Sequence, residues 1–133
     1  MKKKLNCTLL VDDDVISNYI SEKIIRSSEI TNELKIVQNG HVAYEYLENC
    51  ASVDNPCPEL IFLDINMPVM DAFDFLTLYK KLDKKDKGYV IILTSSDNPD
   101  DIEHLLQFEI MDYINKPLTN EKIQDLMKKY YRW

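Results

Sequence analysis

The stretch Glu59-Leu60-Ile61-Phe62-Leu63-Asp64-Ile65-Asn66-Met67-Pro68 decides how this chain is read. Four apolar residues, Leu60 to Leu63, run into Asp64, and Pro68 follows four positions later. A short unbroken apolar run between turn signals reads as a strand covered on both faces. Proline has no N–H to give a ladder, so the strand ends before Pro68. Asp64 then stands where a buried strand gives way to a loop, half desolvated and facing the crevice beyond the strand ends. Taken alone, a turn-forming or strand-terminating Asp explains the residue as well as a functional one does.

Other segments have a similar form. Leu5 to Val11 is apolar and ends in Asp12-Asp13-Asp14, and Tyr89 to Leu93 stops at Thr94-Ser95-Ser96. Leu34 and Ile36, alternating with Glu33, Lys35 and Gln38, predict an edge strand. Asp112 to Ile114 predicts a short last strand leading into Asn115-Lys116-Pro117.

Helical spacing fills the gaps. Ile16, Tyr19, Ile20 and Ile24 predict the apolar stripe of a first helix ending near Ser27-Ser28, with Ser17, Asn18, Ser21, Glu22 and Lys23 on its solvated face. Asn39-Gly40 reads as a turn before a second helix carrying Ala43, Tyr46, Leu47 and Cys50. Phe75, Leu78, Tyr79 and Leu82 mark a third, followed by a charged, solvated run from Lys80 to Lys87. Asn98-Pro99 starts a fourth, with Asp100, Asp101 and Glu103 at the positive end of its dipole and Ile102, Leu105 and Leu106 as its stripe. Thr119 caps a fifth, with the stripe Ile123, Leu126, Met127 and Tyr130. Strand and helix thus alternate five times. That pattern predicts an α/β fold, a five-stranded parallel sheet with helices on both faces. The doubly wound order 2-1-3-4-5 is the natural candidate, with its switch point between strands 1 and 3.

Composition narrows the function. The 133 residues suffice for one domain with a real core. A formal net charge of -7 argues against a nucleic-acid-binding surface. No apolar run approaches the length of a membrane span. The apolar run after Met1-Lys2-Lys3-Lys4 contains Asn6 and runs into three Asp, which does not suit a signal peptide. Cys7, Cys50 and Cys57 lack metal-ligand spacing and read as buried reduced thiols. His41 and His104 read as surface residues, and Tyr130, Tyr131 and Trp133 as packing for the last helix.

In a doubly wound sheet, ligands bind beyond the carboxyl ends of the strands. Here strand 1 ends in Asp12 and Asp13, strand 3 in Asp64 and strand 4 in Thr94, and Lys116 follows strand 5. Converging carboxylates repel one another unless a cation sits among them. An all-oxygen donor set suits a hard ion, and Mg²⁺ best. One carboxylate can then act as a nucleophile toward phosphorus, with the hydroxyl and the ammonium holding phosphoryl oxygens. Asp14 reads as the cap of the first helix.

The chain resembles the receiver domain of two-component response regulators, a flavodoxin-like fold, over nearly its whole length. The matching pieces are Leu9-Leu10-Val11-Asp12-Asp13, Leu63 to Asp71, Ile92-Leu93-Thr94-Ser95 and Asp112 to Pro117. The resemblance implies that Asp64 is the phosphoacceptor. It implies that Asp13, Asp64 and the backbone carbonyl of Asn66 bind Mg²⁺, with Asp12 acting through water. Thr94, Ser95 and Lys116 would hold the phosphoryl group, and Thr94 and Tyr113 would form the switch. The implied role is a cytoplasmic signalling module, residues 1–133 as a single receiver domain. It would be phosphorylated by a sensor histidine kinase or a histidine phosphotransfer protein and would catalyse only its own phosphorylation and dephosphorylation. Output would run through protein contact with a downstream target, a homodimer, or phosphorelay, with no nucleic acid and no membrane.

Two alternatives stand beside this. A haloacid-dehalogenase-like phosphatase shares the nucleophile, Thr/Ser, Lys and Mg²⁺, but would need an acid where the chain has Asn66. A receiver-like scaffold would not be phosphorylated at all. The chain also departs from the family pattern at Ala72, where Gly is usual, and at Glu109-Ile110, where Gly-Ala is usual. A positive φ at Ala72 would cost about 1 kcal/mol and reshape that loop.

Overall fold

The structure is a computed structural model that describes residues 3–51, 54–65, 71–82, 88–95 and 103–133. Five strands form one parallel sheet: β1 (Leu5–Val11), β2 (Thr31–Val37), β3 (Leu60–Asp64), β4 (Tyr89–Thr94) and β5 (Asp112–Asn115). Their order is β2-β1-β3-β4-β5, the doubly wound arrangement expected from the alternation. The helices are α1 (Val15–Ser28), α2 (Gly40–Asn49), α3 (Ala72–Lys81), a helical stretch at residues 103–105 (α4), and α5 (Asn120–Tyr131). The expected helix start at Asn98-Pro99, with Asp100, Asp101 and Ile102, lies outside the described residues, as does the run 83–87.

The sheet divides the core in two. Successive side chains of a strand point to opposite faces. Leu9, Val11, Ile61, Leu63, Val90 and Ile92 accordingly pack with Ala43 and Leu47 of α2 and Phe75, Leu76 and Tyr79 of α3. The intervening Leu10, Leu60, Phe62, Ile91 and Leu93 pack with Ile25 of α1 and Ile123, Leu126 and Met127 of α5. All five residues of β3 are buried, and the first four, Leu60 to Leu63, are the unbroken apolar run that such a strand requires. Tyr130, Tyr131 and Trp133 pack against the second of these clusters, as expected.

Caps fix the helix starts. Asp14 accepts from the Ile16 N–H, Asp71 from the Asp74 N–H and Thr119 from the Lys122 N–H. Asn39-Gly40 is not a free turn. Asn39 is the N-cap of α2, bonded to the Val42 N–H, and Gly40 is the first helical residue. Asn and Gly favour both settings, so the dipeptide alone does not choose between them. Ala72 is the first residue of α3, buried among the core side chains, and is not among the positive-φ residues. The feared cost of a methyl group there does not arise. Gly88 does need to be glycine, because a Cβ there would strike the carbonyl of Pro58.

Three further expectations are corrected. Cys50 and Cys57 are joined in a disulfide between the end of α2 and the segment before β3, and only Cys7 is a buried free thiol. Spacing in the sequence could not show that the chain folds back to bring them together. Leu106, expected in a buried stripe, is 64% exposed, whereas Leu105 beside it is buried. The largest correction is the first two turns of α1, where the expected stripe faces outward; only Ile24, further along, packs against the core as expected. Ile16 is 71% exposed, Tyr19 59% and Ile20 46%, while Asn18, Ser21, Ile25 and Ser28 face inward. Helical spacing reveals a stripe but not which stripe is buried. Here the inner face is chosen by hydrogen bonds beneath the first turn.

The inverted face gives a direct test. Ile16→Ser or Tyr19→Ser should change unfolding free energy by no more than about 0.5 kcal/mol, the range for exposed positions. Ile25→Ala should cost about 2–4 kcal/mol, the range for a buried truncation. Urea unfolding of the variants compares them. A large loss at Ile16 would mean that this side chain is buried after all.

Candidate functional site

Register builds the site. Val11 lies opposite Leu63 across the β1–β3 pair, so the residues after β1 arrive beside Asp64. Asp64 pairs with Leu93, and Thr94 pairs with Asn115 of β5. Four strand ends therefore finish level with one another, and their first polar residues share one crevice. Carboxylate oxygens of Asp12, Asp13 and Asp64 come within 4.8 Å of one another, with Asp12 and Asp64 buried and Asp13 the most accessible.

Lys116 closes the cluster from the far side. Its Nζ lies 3.0 Å from Asp12 Oδ2 and 3.3 Å from Asp64 Oδ1. Its backbone N–H donates to the Thr94 carbonyl at 2.8 Å, which fixes the loop after β5 against β4. Burial acts to lower the Lys116 pKa, but the hydrogen bond and charge of Asp12 and the charge of Asp64 outweigh it, and the net shift is upward. The ammonium is thus held charged by the two carboxylates it separates.

Asp12 is anchored further. Its Oδ1 accepts from the Asp14 N–H at 3.0 Å, and its Oδ2 from the Ser17 hydroxyl at 2.7 Å. Asn18 Nδ2 donates to the Asp12 carbonyl at 2.7 Å. Ser17 and Asn18 were expected on a solvated face, and sequence reasoning missed them. Helical spacing could not have found them: Asn18, Ser21, Ile25 and Ser28 recur at that spacing and form the inner face, but the exposed apolar residues recur at it too.

The other site residues fall as follows. Thr94 ends β4 and is buried, and Ser95 beside it is exposed. Tyr113 on β5 is 37% exposed. Asn66 lies outside the described residues. Asp14 caps α1, as its place before the helix implied. His41 is exposed beside Glu45, and His104 is exposed with its ring against Phe73, centroids 4.3 Å apart. The donor set is all oxygen and strongly negative, which fits a hard divalent cation. No described helix is long and apolar enough to cross a membrane.

Comparison with known proteins agrees with the fold. The chain belongs to the response regulator receiver domain family, whose model matches residues 8–128. The response regulator Rcp1 of Synechocystis sp. is 30% identical over 121 residues, covering 90% of this chain and 80% of that protein. The structure of a two-component response regulator from Cytophaga hutchinsonii is 30% identical, with a TM-score of 0.85 over 98% of this chain and 100% of that one. A structure of the Mn²⁺-bound form of Rcp1 is 25% identical, with a TM-score of 0.74 over 95% of this chain and 94% of that one. The protein is therefore a regulatory receiver domain of two-component signalling, and the phosphatase alternative is left without support.

The charge arrangement makes a prediction about Lys116. Lys116→Ala leaves two buried carboxylates side by side without their ammonium, and should lower metal-free stability by about 3 kcal/mol. A lysine whose pKa is raised on folding contributes fully below its unfolded pKa, about 10.4, and loses that contribution as pH climbs through the higher folded value. The difference between native and variant should therefore be flat from neutral pH upward and begin to shrink above about pH 10. Urea unfolding across this range measures it. A difference that disappears near neutrality would contradict the charged pair.

Proposed function

We propose that Asp64 accepts a phosphoryl group from a phosphohistidine, in a site completed by Mg²⁺. The observation that supports this most is the setting of Asp64. It is a buried carboxylate at a strand end, paired to Lys116 and within ligand reach of Asp12 and Asp13. Asp13, Asp64 and the backbone carbonyl of Asn66 would hold the ion, and Asp12 would reach it through water. The ion supplies positive charge to non-bridging phosphoryl oxygens. A carboxylate oxygen of Asp64 attacks phosphorus as the phosphorus–nitrogen bond of the donor breaks. The result is an aspartyl phosphate and a free imidazole. Lys116, Thr94 and Ser95 hold the transferred oxygens. The manganese in the Rcp1 structure supports a divalent ion in a related fold.

The same reading covers output. A phosphoryl group brings negative charge and acceptor oxygens to the strand ends. Thr94 turns toward it, and Tyr113 on the next strand rotates into the space that Thr94 vacates. The region of α4, β5 and α5 then binds a downstream protein, or a second copy of the chain, more tightly. We read residues 1–133 as one cytoplasmic receiver domain whose only chemistry is its own phosphorylation and dephosphorylation.

The inverted face of α1 supports a place for the donor. Val15, Ile16, Tyr19 and Ile20 form an exposed apolar surface that begins directly after the Asp12-Asp13-Asp14 turn. A phosphohistidine on a sensor kinase or phosphotransfer protein must come within bonding distance of Asp64, so the donor's surface has to pass over this first turn. Apolar side chains exposed at that point suit a partner that brings an apolar helix face of its own.

Incubation with Mg²⁺ and a small phosphodonor, followed by intact-mass measurement, tests the chemistry. The native chain should gain one phosphoryl group, and Asp64→Asn should gain none. Labelling that survives in the variant would move the acceptor elsewhere, and no labelling of the native chain would favour the scaffold. The docking surface has its own test. Ile16→Ser and Tyr19→Ser should slow transfer from the cognate donor about tenfold, as loss of an interface anchor does. The small phosphodonor should act on these variants as on the native chain. Equal slowing with both donors would place the effect in the site and not at the surface.

A stability measurement tests the ion. Mg²⁺ at ten times its dissociation constant should stabilise the chain by about 1.4 kcal/mol. Asp13→Asn should abolish most of that gain. Thermal melts with and without Mg²⁺ read it, and equal midpoints for the native chain would count against the site.

A further inference from the structure

Every polar atom of Asp12 is engaged. Its N–H donates to the Val37 carbonyl at 3.2 Å. Its Oδ1 takes the Asp14 N–H, its Oδ2 takes Ser17 and Lys116, and its carbonyl takes the Asn18 amide. The two donors on Oδ2 differ in kind. Lys116 carries a positive charge that repels an incoming divalent cation, whereas the Ser17 hydroxyl is neutral. When a cation enters, Ser17 is the donor that can keep Asp12 in place without opposing it.

Asn18 tells the same story for the main chain. It is 7% exposed, and its Oδ1 is buried without a hydrogen-bond partner among the described residues. An unpaired buried carbonyl oxygen costs stability, and a residue that served only to pack would not need an amide. The donor end of that amide is the part that bonds Asp12.

We propose that Ser17 and Asn18 are positioning residues for the cation site: from the first turn of α1 they lock the carboxylate and carbonyl of Asp12 in the orientation from which Asp12 serves a divalent cation. This rests on the reading of Asp12, Asp13 and Asp64 as a cation site given above. Partners behind a metal's ligands commonly govern affinity by about tenfold or more. Removing the Ser17 hydroxyl leaves Lys116 as the only side chain, among the described residues, bonded to the Asp12 carboxylate, and a cation must then displace it.

Calorimetric titration of the unphosphorylated full chain with magnesium chloride tests this. The native chain should bind Mg²⁺. Ser17→Ala should bind about tenfold more weakly, Asn18→Ala should also be weakened, and Ser17→Thr, which keeps the hydroxyl, should bind within about twofold of native. Should Ser17→Ala fail to fold by circular dichroism, Ser17→Cys, similar in size and a weaker donor, replaces it with the same expected weakening. The phosphorylation rate should follow the same split: a higher Mg²⁺ requirement for Ser17→Ala, with a near-native plateau. If the native chain binds and Ser17→Ala and Asn18→Ala bind equally well, the inference falls while the site reading stands. If Ser17→Thr is as weak as Ser17→Ala, the hydroxyl is not the cause and the inference falls. If the native chain itself takes no Mg²⁺, the site reading fails first and the inference with it.

Discussion

The ammonium of Lys116 lies 3.0 Å from one buried carboxylate and 3.3 Å from another, and the two carboxylates stand at the ends of neighbouring parallel strands. That arrangement follows from the register of the sheet. Val11 opposite Leu63, and Asp64 opposite Leu93, set the strand ends level. Strands covered on both faces leave no other place for a charge than their ends. Asp12 and Asp64 are thus brought together by the hydrophobic pairing of β1, β3 and β4, and the ammonium of Lys116 bridges them and offsets their repulsion. A site that is already short of positive charge is ready for a cation and for the oxygens of a phosphoryl group.

The first helix has a polar inner face and an apolar outer one at its start. Its inner face carries Ser17 and Asn18 to Asp12, and deeper along the helix Ile25 joins the core beside β1 and β3. Its outer face is left with Val15, Ile16, Tyr19 and Ile20 in solvent. An amphipathic helix normally buries its apolar side. Here the side nearest the acidic cluster must offer hydrogen-bond donors, so the apolar stripe is displaced outward at the first two turns. The same turn of helix therefore orients a site residue inside and offers an apolar surface outside.

Much of this was legible in the sequence, for physical reasons. An unbroken apolar run has one good interpretation, a strand covered on both faces; β3 and β4 each have one, and β1, though interrupted by Asn6 and Thr8, ends in Leu9-Leu10-Val11 before Asp12. Once the strands and their order were set, the residues at their ends had to converge, which identified Asp12, Asp13, Asp64, Thr94 and Lys116 together. The orientation of α1 was not legible, because periodicity gives a phase without a direction. Asn39-Gly40 was ambiguous because the residues that make turns also start helices. The link between Cys50 and Cys57 depended on a fold-back that composition does not reveal. Ser17 and Asn18 were hidden by the rule that polar residues face water, which fails wherever a buried carboxylate needs donors.

The central claim is that Asp64 carries the phosphoryl group. Reduction of an aspartyl phosphate with borohydride converts that side chain into homoserine, which peptide sequencing by mass spectrometry locates. After treatment with Mg²⁺ and a small phosphodonor, the account predicts homoserine at position 64, with Asp12 and Asp13 intact. Homoserine at position 12 or 13, or an unaltered Asp64 in a chain that has gained a phosphoryl group, would contradict it.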